Sequence, residues 1–218
     1  EYDSSLFADF GFTIVDECHH IAAEVFSRAL QKINSKYMLG LSATPKRKDG
    51  LSKIFERYNP DEVYNLAGQS SVGRSFLEPT DTIESIVNGT LNILEVCREI
   101  NYTGNIFFAG SGEIFGHTEN PAGVNYPQNP RNVYAVGKQA SLKLVEVYRN
   151  IYNLNCQTGI LFNHESQLRN ENFVTQKIID GAVKCSAKKQ SKLKLGNIDV
   201  KRDWGWAEEY MEGIQLMT

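Results

Sequence analysis

The sequence lacks the features that mark metal-binding, membrane-spanning and strongly charged proteins. Its four cysteines lie far apart with no C-x-x-C pair, so neither a disulfide framework nor a cysteine metal site is expected. No run of about 18 apolar residues occurs, and no signal-peptide pattern opens the chain. A net charge of −3 over 218 residues gives no general attraction to nucleic acid or anionic membranes. We therefore expect a cytoplasmic globular protein with reduced thiols, no metal and no membrane partner.

The usual glycine-rich phosphate-binding loops are also missing. No G-x-x-x-x-G-K-[ST] run occurs anywhere in the chain. Gly110, Gly112 and Gly116 follow an apolar run, but the third glycine is one place too late for a G-x-G-x-x-G turn. Glu113 would also put negative charge where phosphates should bind. We therefore assign this loop to catalysis.

Apolar runs with strand character alternate with segments of helical periodicity. This alternation predicts an α/β fold with a mostly parallel sheet. The predicted strands are 11–17, 37–41, 63–68, 105–110 and 156–162, and the predicted helices are 21–33, 84–100, 132–152 and 171–182.

The residues with the strongest chemical potential lie between 105 and 138. Tyr134 and Lys138 are four apart, so on a helix they lie on one face, one turn apart. A nearby ammonium favours the phenolate, so we expect Lys138 to lower the pKa of Tyr134 and make it a proton-transfer group. Ser111 and Glu113, two apart on an extended segment, would face the same side. The strand end and the helix then converge on one substrate.

These residues resemble the extended short-chain dehydrogenase/reductase superfamily, whose signature is Ser or Thr with a Tyr-x-x-x-Lys pair. The wider sequence is similar to the GDP-mannose 4,6-dehydratase family over about residues 56–218. The runs that carry this resemblance are YNLAGQSSVGRSFLEP at 64–79, AGSGEIFG at 109–116, GILFNHES at 159–166, ENFVTQKI at 171–178 and LGNIDVKRDWG at 195–205.

The resemblance implies a three-layer Rossmann-like fold, NADP as cofactor with NAD as the alternative, GDP-mannose as substrate and a homo-oligomer in the intact family. It also implies a set of site residues. The catalytic residues are Ser111, Glu113, Tyr134 and Lys138; the cofactor-binding residues are Leu66, Ala67, Gly68, Tyr134, Lys138, His164 and Arg169; the substrate-binding residues are Asn163, Lys177 and Arg202.

The family reaction assigns a separate role to each catalytic group. Tyr134, assisted by Lys138 and Ser111, would remove the proton from the sugar 4-hydroxyl while hydride leaves C4 for the nicotinamide. Glu113 would then take the acidified C5 proton as water is lost from C6, and the hydride would return to C6. The product is GDP-4-keto-6-deoxymannose.

Residues 1–55 have a different character. VDECHH at 15–20 and LSATP at 41–45 resemble motifs II and III of superfamily 2 helicases, in which Asp16 and Glu17 would act on Mg²⁺ and water. We therefore predict two domains, a helicase-like β-α-β fragment of RecA-like type at 1–55 and the dehydratase domain at 56–218. Such a chimera could dock its β-α-β unit on the edge of the dehydratase sheet. Nucleic acid is a partner only under the helicase alternative.

The chain also departs from the dehydratase pattern. Its dehydratase part lacks the opening strand, glycine-rich turn and helix of the family and is expected to be incomplete at both ends. Gln167-Leu168-Arg169 and Thr175-Gln176-Lys177 each have one basic residue fewer than the family motif. Three interpretations stay open: a dehydratase, a fragment of a helicase ATPase, and a remnant that folds without catalysing a reaction.

Overall fold

The computed structural model describes residues 12–15, 37–40, 55 and 59–218, apart from Asn170, Asn172 and Asn197. Asp16, Glu17, the predicted helix 21–33 and the LSATP run lie outside the described residues. The chain divides into two compact units. The first comprises residues 1–160 with Thr218, and the second comprises residues 161–217.

Two short strands near the start of the chain form a parallel pair. Strand β1 (Phe12–Val15) pairs with β2 (Tyr37–Gly40), and Phe12 lies opposite Tyr37. They lie within the predicted strands 11–17 and 37–41. Among the described residues no hydrogen-bonded ladder joins this pair to another sheet. Its docking on the dehydratase sheet stays a prediction.

The main sheet of the first unit is parallel and three-stranded. Its strands are β3 (Glu62–Asn65), β4 (Asn105–Ala109) and β5 (Cys156–Gly159), in the order β3-β4-β5. The central strand carries three consecutive buried side chains, Ile106, Phe107 and Phe108. A parallel strand covered on both faces needs such a continuous apolar run. The predicted α/β class is thus confirmed.

A long helical stretch connects β3 to β4. It begins with α1 (Val72–Leu77) and α2 (Pro79–Ile83), passes through a π-helical turn (Glu84–Asn88) and continues as α3 (Gly89–Glu99). The predicted helix 84–100 is the second part of this stretch. In the π turn, the Ile86 carbonyl accepts hydrogen bonds from Thr90 Oγ1 at 2.8 Å and from Ser141 Oγ at 3.1 Å. Ser141 belongs to α4 (Val133–Tyr152), so the turn and this helix are bonded together.

The hydrophobic core lies where α3 and α4 pack on the sheet. Leu94, Val96, Ile106 and Val145 are almost completely buried there. The same cluster contains two free cysteines, Cys97 and Cys156. Burial raises the pKa of the Cys97 thiol to about 12, so this thiol stays protonated and unreactive at neutral pH.

The second unit corrects several predictions. Strand β5 ends at Gly159 instead of Phe162, and residues 163–165 form a separate strand, β6 (Asn163–Glu165), parallel to β7 (Trp204–Trp206). Trp204 and Trp206 are 44% and 42% exposed. Helix α5 (Val174–Ser186) begins three residues later than predicted and is followed by α6 (Ala207–Met217).

None of the helices in the described part of the chain combines the length and apolar character that a membrane crossing requires.

Candidate active site

The four predicted catalytic residues lie on two segments of the first unit. Ser111 and Glu113 follow strand β4, and Tyr134 and Lys138 occupy the first two turns of α4. The helix begins where predicted because Asn132 caps it: its Oδ1 accepts a hydrogen bond from the Ala135 amide at 2.8 Å.

The segment after β4 passes close to the neighbouring strand at Gly110. A Cβ at this position would lie 2.8 Å from the Gly159 carbonyl oxygen on the neighbouring strand, so only glycine fits. The extended Ser111 then caps a short 3-10 helix, Gly112–Phe115, by accepting a hydrogen bond from the Glu113 amide at 3.3 Å. Ser111 and Glu113 are therefore placed by a capped turn, not by the extended strand that the spacing suggested.

The Ser111 side chain lies close enough to the Tyr134 hydroxyl to affect its pKa. Both residues are buried, with exposed fractions of 9% and 7%. Burial raises the pKa of the Tyr134 phenol, and the negative charge of nearby Glu113 adds to this, while the Ser111 side chain opposes it. The tyrosine is thus protonated at neutral pH in this structure.

Lys138 does not have the predicted effect on Tyr134. Its Nζ lies 5.8 Å from the centroid of the Tyr134 ring and donates a hydrogen bond to the Ala109 carbonyl at 2.8 Å. Burial lowers the pKa of Lys138 to about 8. The expected lowering of the tyrosine pKa is therefore wrong for this structure, because desolvation outweighs the attraction of an ammonium at this distance.

Asn132 is the residue at this site that the sequence reasoning missed. Besides capping α4, its Nδ2 donates a hydrogen bond to Glu113 Oε2 at 3.2 Å. The local signal was an asparagine immediately before a predicted helix, which indicates a cap. The bond to Glu113, nineteen residues away in the sequence, has no local signal.

The predicted cofactor loop after β3 is bonded to the π turn. Leu66 is exposed, the Ala67 amide donates to Asn65 Oδ1 at 3.2 Å, and Gly68 has a φ of +123°. A side chain at position 68 would be strained by this φ, which accounts for the glycine without a ligand. The role of the three residues in cofactor binding stays a prediction.

In the second unit, the NHES string at 163–166 is anchored internally. His164 stacks on Tyr210 with ring centroids 4.8 Å apart, and its Nδ1 bonds to the Phe162 carbonyl at 2.9 Å. Glu165 accepts a hydrogen bond from Thr175 Oγ1 at 2.7 Å and forms an ion pair with Arg169 at 3.2 Å.

Arg169 is therefore engaged within its own unit. Its guanidinium carbon also lies 3.6 Å from the centroid of the Phe173 ring, a close cation–π contact. These contacts identify a structural role for Arg169. Its predicted contact with a cofactor, like that of His164, stays a prediction.

Two predicted substrate-binding cations lie on the surface of the second unit. Lys177 lines a groove of about 290 Å³ with residues of both charge signs, whereas exposed Arg202 is not part of this lining and donates to the Lys201 carbonyl at 2.9 Å. The other residues of the lining are Glu171, Asp180, Gly181, Lys184, Gln190 and Leu193.

Comparison with known proteins identifies the family. A family profile described as GDP-mannose 4,6 dehydratase matches residues 19–218. The chain belongs to the GDP-mannose 4,6-dehydratase family. It is 44% identical over 171 residues to GDP-mannose 4,6 dehydratase 1 of Arabidopsis thaliana, covering 77% of this chain and 47% of that protein. With GDP-mannose 4,6 dehydratase of Drosophila melanogaster it shares 42% identity over 170 residues, covering 77% of this chain and 43% of that protein. The chain spans about half the length of these curated relatives.

Solved structures show the same fold at low identity. RMD from Pseudomonas aeruginosa, complexed with NADPH, aligns with a TM-score of 0.74 and 23% identity, covering 94% of this chain and 73% of that one. The dTDP-glucose 4,6-dehydratase DesIV from Streptomyces venezuelae, with NAD bound, aligns with a TM-score of 0.73 and 15% identity, covering 94% and 71%. These alignments confirm the predicted Rossmann-like α/β fold.

The helicase interpretation gains no support from these comparisons. The dehydratase family profile begins at residue 19, inside the segment that we predicted to be helicase-like. The comparisons likewise give no support to a chimera, and the domain boundary at 55–56 stays a prediction.

Proposed function

We propose that this chain converts GDP-mannose to GDP-4-keto-6-deoxymannose with NADP as redox cofactor. The observation that carries the proposal is the convergence of Ser111, Glu113 and Tyr134 from two separate segments, with Lys138 one turn along the same helix. Ser111 and Glu113 are both close enough to change the pKa of Tyr134, and Lys138 and Asn132 bond this helix to Ala109 and Glu113. The names of the curated relatives support the choice of substrate.

Lys138 has hydrogen-bond donors that a nicotinamide ribose could accept. Lys138 is buried, and among the described residues its ammonium makes one hydrogen bond, to the Ala109 carbonyl, although it carries three N–H donors. Buried donors without partners are costly, so a ligand with paired hydroxyl groups would stabilise the site. The ribose of NADP offers such hydroxyls. When bound, NADP accepts a hydride from the sugar and later returns it.

In the first half of the reaction, Tyr134 takes the proton of the sugar 4-hydroxyl as a phenolate, after the phenol has released its own proton to solvent. Ser111, whose side chain lowers the pKa of the phenol, helps to stabilise this phenolate. Lys138, with a pKa of about 8, keeps its charge at neutral pH, and its attraction for the transient phenolate offsets only part of the cost of desolvation.

In the second half, Glu113 removes the proton from C5. The new ketone at C4 has made this proton acidic, and the proton leaves with the C6 hydroxyl as water. Glu113 is half-buried, and its Oε2 is held by Asn132. Because the carboxylate lies beside the phenol, it can remove the C5 proton after the phenol has served the oxidation at C4, and the backbone need not move between the two steps.

Substrate binding would use the cationic and amide groups of the second unit. We propose that Lys177 and Arg202 bind the diphosphate and that Asn163 contacts the sugar nucleotide. Exposed Lys and Arg side chains are suited to phosphate oxygens. Glu171 and Asp180 in the same groove as Lys177 oppose an anion, so Lys177 contributes less than an isolated cation would.

Exposed apolar side chains on α4 support the expected homo-oligomer. Val147 and Ile151 are 44% and 65% exposed, although the rest of this helix contributes to the core.

The direct test combines ligand titration with product analysis. NADP is titrated into the purified chain, and the chain is then incubated with NADP and GDP-mannose. We expect saturable binding and a product that has lost one water and carries a ketone, as shown by mass spectrometry and carbonyl derivatisation. Absence of NADP binding would reject the proposal and leave a folded protein without this catalysis.

The Glu113→Gln variant sharpens the test. It keeps the size of the side chain and its bond to Asn132 but removes the base. We expect oxidation at C4 without loss of water. The absorbance of the reduced nicotinamide should then persist. Normal water loss in this variant would remove Glu113 from the mechanism.

A further inference from the structure

The side-chain amide of Asn132 joins the two segments of the site. Its oxygen accepts a hydrogen bond from the Ala135 amide at 2.8 Å, which fixes the start of α4. Its nitrogen donates a hydrogen bond to Glu113 Oε2 at 3.2 Å, which fixes a carboxylate on the 3-10 turn after β4. The oxygen of this amide is thus bonded to α4, and its nitrogen is bonded to the 3-10 helix after β4.

This bond orients the Glu113 carboxylate and leaves its second oxygen available to accept a proton. Only Oε2 of Glu113 is bonded to Asn132, and among the described residues Oε1 makes no side-chain hydrogen bond. An amide is a suitable partner because it is neutral and does not titrate, so it orients the carboxylate without neutralising its charge. An ammonium at the same place would hold the carboxylate as an ion pair and weaken it as a base.

The same amide sets the distance between the two proton-transfer groups. Tyr134 is two residues after Asn132, so the cap that orients the helix also places the phenol. The bond from the cap to Glu113 then fixes the carboxylate relative to the phenol.

We propose that Asn132 is a positioning residue for the elimination half of the reaction: it holds Glu113 in place for proton removal at C5. This inference rests on the proposed function. It separates the two halves of the reaction, because Ser111, Tyr134 and Lys138 make no side-chain hydrogen bond to the Asn132 amide among the described residues.

The Asn132→Asp variant tests the inference directly. Aspartate keeps the capping oxygen and the shape, but it has no N–H donor for Glu113. In single-turnover experiments with NADP and GDP-mannose, we expect C4 oxidation within about twofold of wild type. We expect loss of water to be slower by about 10- to 100-fold, as for a misplaced catalytic group. Reduced nicotinamide should then accumulate, and deuterium from D₂O should enter C5 slowly.

Two further variants separate the loss of the Glu113 hydrogen bond from the added charge and from the loss of a helix cap. Asn132→Ser keeps a capping oxygen without adding charge and should cause the same imbalance between the half-reactions, which excludes repulsion as the cause. Ser71→Ala removes the side-chain cap of α1, whose Oγ accepts from the Arg74 amide, and should leave the balance unchanged. Equal slowing of both half-reactions in Asn132→Asp and Asn132→Ser, or no slowing, would overturn the inference.

A folding measurement gives an answer that does not depend on turnover. Melting temperatures of Asn132→Ser, Glu113→Ala and the double variant should show non-additive effects, because each single variant removes one partner of the same bond. Additive shifts would reject the bond and the inference. The two proposals can also fail separately. If the melting temperatures are coupled but the wild-type chain forms no keto sugar, the bond is established, whereas the proposed function and the catalytic purpose of the bond are rejected.

Discussion

The two units differ in how they hold their polar groups. Helix α4 of the first unit buries seven residues, among them Tyr134, Lys138 and Ser141, whereas α5 of the second unit buries only Gly181. Proton transfer needs groups fixed at short distances, and a packed interior supplies this. Binding a charged diphosphate needs cations that can be reached from solvent, and Lys177 and Arg202 are exposed. The comparison predicts large, specific effects in the first unit and small, graded effects in the second.

The largest effect is expected at the buried phenol. Tyr134→Phe should lower turnover by up to about 10⁴-fold, because it removes the proton-transfer group while keeping the ring. Steady-state kinetics with GDP-mannose and NADP measure this. Tyr152→Phe is the matched control, since Tyr152 lies on the same helix and is 47% exposed. Equal residual activity in wild type and Tyr134→Phe would refute the assignment.

The core should respond more than the surface of the second unit. Phe107→Ala removes a fully buried ring from the central strand and should lower the free energy of unfolding by about 3–5 kcal/mol. Leu168→Ala, at a side chain that is 89% exposed, should change it by less than about 0.5 kcal/mol. Urea denaturation of both variants measures the difference. Similar losses of unfolding free energy in the two variants would show that burial in the first unit does not decide the size of the effect.

The buried lysine predicts a pH dependence of stability. The folded-state pKa of Lys138 is about 8, below the ordinary value of 10.5, so between these values the unfolded chain binds more protons. The contribution of Lys138 to stability should therefore rise with pH in this window, by up to about 1.4 kcal/mol per pH unit. Lys138→Met removes this dependence.

The measurement is urea denaturation of wild type and Lys138→Met from pH 7 to pH 9.5. The free energy of unfolding of the wild type should increase relative to that of the variant as the pH increases above 8. Lys177→Met, at an exposed lysine, provides the control and should parallel the wild type. A constant difference between wild type and Lys138→Met would show that Lys138 is better solvated than the structure indicates.

The smallest effect is expected for an exposed substrate cation. Lys177→Ala should raise KM for GDP-mannose about 5- to 10-fold with little change in kcat, because a solvated cation contributes about 1 kcal/mol of binding. Lys192→Ala is the control, since Lys192 is exposed and lies outside the groove lining. Equal KM values for the two variants would remove Lys177 from the proposed substrate site.

Much of the first unit could be predicted from local pattern. The helix predicted at 132–152 is found at 133–152, and the strand predicted at 105–110 is found at 105–109. Apolar periodicity and a capping asparagine are local signals, so they can be read from the sequence. The strand end with Ser111 and Glu113 and the helix with Tyr134 and Lys138 were also predicted to converge, and the structure bonds Glu113 to the residue that caps this helix.

Other features could not be predicted from such patterns. The apolar run 156–162 read as one strand, but the chain leaves the sheet after Gly159, and Asn163 pairs with Trp204, about forty residues later. The π turn at Glu84–Asn88 gave no signal within a helical pattern. Exposure of Trp204 and Trp206 is also a property of the folded surface, since the residue type alone favours burial.

The sequence by itself determined the α/β alternation, the helix with its Tyr-Lys pair and the set of candidate proton-transfer groups, because each depends on residues close together in the chain. Only the tertiary structure decided the ionisation of these groups and their mutual bonds. Burial under distant segments raises the pKa of Tyr134 and lowers that of Lys138, and the Asn132–Glu113 bond joins residues from separate turns. Desolvation depends on everything that surrounds a group, so it becomes defined only when the whole unit has folded.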